Sequence, residues 1–198
     1  MKNTANTANS SKELQSSGTR YAIRRLFARR YLKYIHGNVL DIGCGNGEFV
    51  SKSGITYYGV DVNPDMATQA MAKGIKNIVH GDARRLPYVE NRFDTVLCFN
   101  LLEQLHDGDG ELVIEEAYRV LKPGGIFILV LPDRKGFDMF PEYGHITFWP
   151  QTKALSELAL NGFDIKERFN TPIINIRKFR IPTDLTYNEQ VFVAIKKE

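Results

Sequence analysis

Short apolar runs alternate with stretches whose apolar positions recur every three or four residues, the pattern of strands followed by amphipathic helices. The runs predict strands at residues 39–42, 56–60, 76–80, 93–99, 126–131, 163–169 and 190–196. Residues 93–99 are nearly all apolar, as expected for a strand buried on both faces. A first helix is predicted from Thr19 to about Ile35, with Ile23, Leu26, Phe27, Arg30 and Tyr34 near one face. A second runs from Asn63 to about Ala72, opened by Pro64. A third runs from about Gly110 to Leu121, where Lys122-Pro123-Gly124-Gly125 stops it, and a fourth covers 151–161 and ends at Gly162. Residues 132–150 read as a loop rich in proline, glycine and aromatic side chains. Residues 1–18 are short of large apolar groups and read as a disordered tail.

Strands alternating with helices imply an α/β fold, a parallel sheet wrapped by helices on both sides. The last two strands have no helix between them and should pair antiparallel at one edge. Their connection, 171–186, is longer than a hairpin needs and carries Arg177, Lys178 and Arg180. No internal repeat or second domain is visible, so residues 19–198 read as one domain. A length of 198 residues, 43% hydrophobic, supplies a sizeable core for it. No apolar run reaches the length of a membrane span, and the start lacks a hydrophobic signal core. Cys44 and Cys98 form no CxxC pair or disulfide framework, so a reducing, cytoplasmic setting is the default.

Charge changes the picture at one end. The net charge is +3, yet residues 1–37 hold eight Lys/Arg against Glu13 alone, leaving 18 basic and 22 acidic residues for the remainder. The basic helix 19–36 is either a solvated surface or a lid or anion-contacting element.

The chemistry concentrates after the first strand, in Asp41-Ile42-Gly43-Cys44-Gly45-Asn46-Gly47. A strand that ends in a glycine loop and leads into a helix places a nucleotide-like ligand at the carboxyl edge of a sheet. A dinucleotide loop reads G-x-G-x-x-G; here the third glycine comes one residue early and an acid precedes the first. A carboxylate there repels a pyrophosphate and suits a ligand with a cationic ammonium or sulfonium. That argues against a dehydrogenase. Asp61 ends the next strand, where a carboxylate can accept both hydroxyls of a ribose. Asp82-Ala83 follows the third strand, setting a polar group and a small residue beside an adenine edge. The alternative for Asp41 and Asp61 is capping of the loop that follows. Cys44 reads as a small packed residue with nothing nearby to activate a thiolate.

Six landmarks stand in order over residues 38–131: Val39 to Gly47, Gly59-Val60-Asp61, Gly81-Asp82-Ala83, Phe93 to Leu97, Asn100 to Leu105, and Leu121 to Gly125. Together they resemble a class I S-adenosylmethionine-dependent methyltransferase, of the small stand-alone type similar to ubiquinone/menaquinone-biosynthesis methyltransferases. The resemblance implies a Rossmann-like three-layer sandwich with a mostly parallel seven-stranded sheet and an antiparallel edge strand. It implies S-adenosyl-L-methionine as cofactor, with Gly43, Cys44, Gly45 and Gly47 under its methionine part and Asp41 near the amino group. Asp61 would hold the ribose, with Val62 beside the adenine; Asp82 and Ala83 would contact the adenine, and Asn100 and Leu101 would flank the methionine.

Methyl transfer is an in-line displacement, so positioning and desolvation can carry much of the catalysis. An oxygen or carbon nucleophile can still need a base. Glu103 and His106 after the fourth strand, and Tyr143 and His145 after the fifth, are the candidates. The aromatic 132–150 loop walls a substrate pocket or covers the sheet edge. No metal-ligand cluster stands out. A small-molecule acceptor is the leading expectation. The alternatives are RNA or another anionic macromolecule or lipid met by the basic segment, and a non-catalytic cofactor-binding subunit.

Overall fold

The computed structural model describes residues 30–47, 54–139, 144–171 and 189–197. Among these, seven strands form one sheet: β1 (Gly37–Ile42), β2 (Ile55–Asp61), β3 (Ile78–His80), β4 (Phe93–Phe99), β5 (Leu121–Pro132), β6 (Phe163–Asn170) and β7 (Glu189–Lys196). Their order is β3-β2-β1-β4-β5-β7-β6. β3 to β5 pair parallel throughout, and β7 lies antiparallel between β5 and the edge strand β6. The helices are α1 (Pro64–Ala72), α2 (Asp109–Val120), α3 (Arg134–Met139) and α4 (Gln151–Leu160). The short α3 falls inside the stretch expected to be loop, its first turn fixed by Asp133, whose Oδ1 accepts from the Gly136 N–H at 2.9 Å.

Alternation along the strands divides the core between two faces. Leu40, Ile42, Val96, Cys98, Phe127 and Leu129 pack with Val113, Ala117, Ala154 and Leu158 of α2 and α4 on one side. Val39, Leu97, Ile128 and Val130 face the other side, under Tyr31 and Ile35. Cys44, Ala70 and Ile78 form a third, smaller cluster beneath α1. On the α2 side, Trp149 is buried against Gly110, where an added Cβ would collide with its ring.

Of the basic N-terminal helix, residues 30–36 are described; the expected tail and most of the expected lid lie outside the described residues. The apolar face is corrected by one position: Tyr31 and Ile35 are buried, while Arg30 is exposed. The register of β6 explains what Arg30 does instead. An extra residue between Ile165 and Glu167 bulges the strand, so Phe163 faces the α2–α4 side while Glu167 and Phe169 pair with Val193 and Val191. The Glu167 carboxylate accepts from Arg30 Nε and from the Tyr34 hydroxyl, both at 2.8 Å, with Lys33 Nζ at 3.3 Å. The Arg30 guanidinium also lies 4.2 Å from the centre of the Phe169 ring.

These donors, the Tyr34 hydroxyl first and Arg30 next, hold the Glu167 carboxyl at about 2, below its ordinary 4.5. The fold therefore favours the ionised form. That contribution is complete above the unfolded value and is lost as pH falls toward 2. Melting temperatures of wild type should fall more steeply below about pH 4.5 than those of Glu167→Gln, whose curve should be flatter in the same window.

Candidate active site

The ends of β3, β2, β1 and β4 stand side by side at the carboxyl edge, and each carries an expected site residue. The loop after β1 is anchored to β2 by the N–H groups of Gly43 and Cys44, which donate to the Val60 carbonyl at 2.8 and 3.1 Å. Gly45 and Gly47 have positive φ, 52° and 72°. A Cβ on Gly45 would meet nothing within 4 Å, whereas one on Gly47 would strike Ile75 Cδ1 at 2.5 Å. One glycine keeps the loop open; the other lets it pack down. The helix expected after the loop begins in residues outside those described.

Asp61 ties the loop from the side. Its Oδ2 accepts the Gly45 N–H at 2.8 Å and its Oδ1 the Asn63 N–H at 2.9 Å. Each carboxylate oxygen keeps a second lone pair, so capping leaves room for two further donors such as ribose hydroxyls. Asp41 is buried and accepts from the Tyr57 hydroxyl at 2.9 Å. Burial, followed by the charge of Asp41, pushes the Tyr57 pKa up. Burial also lifts the Cys44 thiol to about 12, with Asp41 and then Asp61 adding to the effect, so it stays protonated at neutral pH. Both cysteines are unpaired by disulfide.

Asp82 is engaged by its neighbour. Arg84 grips both carboxylate oxygens, with Nε at 3.0 and 3.1 Å and an Nη at 2.7 Å, and reaches Asp109 Oδ2 at 3.1 Å. The side-chain bond to Arg84 holds the Asp82 carboxyl below its usual range. Arg84 thus clamps the loop after β3 to the start of α2. Val62 is 71% exposed and Ala83 half-buried, leaving an apolar, reachable rim between them and the loop.

Asn100 continues from β4 in the left-handed region, φ 49°. Its N–H donates to the Val130 carbonyl at 2.9 Å, and its side-chain amide donates to Glu189 Oε1 at 3.2 Å. Leu101 lies against the glycine loop, 3.1 Å from where a Cβ on Gly43 would sit. Glu103 is fully buried, and its carbonyl receives the N–H groups of Ile146 and Thr147 at 2.7 and 3.0 Å. This pins the segment bearing His145 to the end of β4. His145 Nδ1 lies 3.0 Å from the Phe137 carbonyl, and its ring stacks on Phe137 at 5.1 Å. His106 is exposed, and Tyr143 lies outside the described residues. No group of three metal-ligating side chains occurs among the described residues.

Tyr57, Arg84 and Glu189 join this edge without having been expected there. Tyr57 follows from strand alternation, since it shares the face of Asp41 on the next strand. Arg84 and Glu189 belong to no motif.

Residues 40–129 match the family described as Methyltransferase domain. The Methanocaldococcus jannaschii protein MJ1123 is 33% identical over 172 residues, covering 82% of each chain. The ubiquinone biosynthesis O-methyltransferase of Xanthomonas oryzae is 34% identical over 101 residues, 46% of this chain and 41% of that one. This chain is a class I S-adenosylmethionine-dependent methyltransferase. Its fold agrees. A chain in the complex of the Haloferax volcanii Trm112 methyltransferase activator with a methyltransferase superposes with a TM-score of 0.73 at 18% identity, over 93% of this chain and 94% of that one. The cofactor of the methyltransferase is S-adenosylmethionine. The relatives bearing an activity in their names match over less than half of their own length. No helix among the described residues is long and apolar enough to cross a membrane.

Proposed function

We propose that the methyltransferase acts on a small molecule, an aromatic hydroxyl compound in the first instance, and that it works chiefly by positioning. The row of acceptors at adjacent strand ends, Asp41, Asp61, Asp82 and Asn100, carries the cofactor placement, and the aromatic group of Phe137, His145 and Phe148 carries the reading of the acceptor. Bound S-adenosylmethionine supplies a methyl group on a positively charged sulfur. Asp41, buried and held by Tyr57, presents a fixed negative charge to the cationic end of the cofactor, over the open side of Gly45. Asp61 holds the ribose with the lone pairs that capping leaves, and Asp82, clamped by Arg84, meets the adenine.

On the acceptor side, Phe137, Phe148 and His145 form an aromatic group beside the end of β4, with Phe137 and Phe148 5.4 Å apart. A carbonyl only accepts, so in the neutral ring Nδ1 carries the proton toward Phe137, and His145 is the candidate base. His106, at the surface, is the weaker candidate. The relative named a ubiquinone biosynthesis O-methyltransferase supports an oxygen acceptor. An anionic macromolecule is less well supported, because Arg30 and Lys33, at the described end of the basic segment, are spent on Glu167.

The test is methyl transfer from labelled cofactor to a panel of phenols and hydroquinones and, separately, to total RNA. A product one methyl heavier is expected from the panel. Label entering only RNA, with binding that falls steeply as salt rises, would overturn the small-molecule reading.

A further inference from the structure

Asn100 occupies the left-handed backbone region, which few non-glycine residues adopt and which persists where the surroundings over-determine it. Three contacts do so here. Its N–H is held by the Val130 carbonyl, its own carbonyl accepts from Gln104 Nε2 at 2.7 Å, and its amide Nδ2 donates to Glu189. Glu189 opens β7 opposite Pro132, is 2% exposed, and reaches past the end of β5 to meet Asn100. A carboxylate can only accept, so it dictates which end of the Asn100 amide points toward it. The opposite end, Oδ1, is buried and has no hydrogen-bond partner. A buried acceptor left unpaired is unfavourable, and native structures supply one with a donor. The next residue, Leu101, packs on the glycine loop, so this orphan acceptor lies where the amino-acid end of the cofactor belongs.

We propose that Glu189 is a positioning residue for the cofactor: it turns the Asn100 amide so that Oδ1 accepts from the cofactor's ammonium group. Asn100 makes the contact and Glu189 acts only through it. The inference rests on the cofactor placement proposed above.

Two ligands separate the possibilities, because S-adenosylhomocysteine carries the ammonium group and 5′-methylthioadenosine lacks the whole amino-acid end. Calorimetry on the full chain should show Asn100→Gly, which keeps the positive φ, binding S-adenosylhomocysteine about 10-fold more weakly. Glu189→Ala should lose about 5-fold, and Glu189→Gln, whose side-chain oxygen can still accept from Asn100, should recover most of it. Affinity for 5′-methylthioadenosine should stay within about 2-fold in all three. Equal losses for both ligands would mean a general structural role and overturn the proposal, as would unchanged S-adenosylhomocysteine binding in Asn100→Gly. If Glu189→Ala does not fold, Asn100→Gly and Glu189→Gln decide. Wild-type protein that binds 5′-methylthioadenosine but gains nothing from the amino-acid end would overturn the placement itself.

Discussion

Replacing Asp61 with alanine is expected to weaken S-adenosylhomocysteine binding about 10- to 100-fold, the equivalent of one charge-assisted hydrogen bond at roughly 1.5–3 kcal/mol. The loss has two sources. One is the pair of acceptors offered to the ribose. The other is the loop itself, since Asp61 Oδ2 holds the Gly45 N–H and Oδ1 the Asn63 N–H. Asp61→Asn separates them, because an amide keeps one accepting oxygen and turns the other into a donor. Titration calorimetry should rank wild type above Asp61→Asn and Asp61→Asn above Asp61→Ala. Unchanged affinity in a folded Asp61→Ala protein would reduce Asp61 to a loop cap.

Lys196→Met should lower stability by about 2–4 kcal/mol while leaving cofactor affinity unchanged. Lys196 ends β7 at the opposite edge of the sheet from Glu189. Its buried ammonium donates to the carbonyls of Tyr118 and Leu121 at 2.8 Å and to Asn91 Oδ1 at 2.9 Å. Tyr118 lies in the last turn of α2 and Leu121 caps it, and the C-terminal end of a helix favours a cation. Methionine keeps the apolar stem and removes every donor, leaving those carbonyls buried and unpaired. At roughly 2–4 °C per kcal/mol for a chain of this size, the melting temperature should fall by roughly 5–15 °C. A shift below about 2 °C would show that water replaces the ammonium.

Apolar runs long enough to span a sheet were legible as strands, and all seven lie where the pattern puts them. β5 begins earlier, at Leu121, because Pro123-Gly124-Gly125 ends the helix without ending the extended path. What escaped the pattern was short or depended on another element. The six residues of α3 hold too few apolar positions to show a period. The inward face of residues 30–36 was misplaced because Arg30 and Tyr31 differ by one position, and only Glu167 and Phe169 on β6 select between them. The bulge that turns those two residues to that face leaves no mark in the residue types around Lys166.

By itself the sequence determined the α/β fold, the glycine loop and the ordered acids Asp41, Asp61 and Asp82. Those features are local: a strand end, its loop and the next helix are contiguous, and residue type constrains each directly. The tertiary structure decided what those residues are bonded to. Arg84 carries the loop of Asp82 to Asp109 on α2, and Tyr57 on Asp41 and Glu189 on Asn100 are joined across strands, the last pair 89 positions apart. Such pairs exist only because the sheet order sets β7 beside β5, two places from β4, and that order follows from packing the whole core rather than from any segment within it.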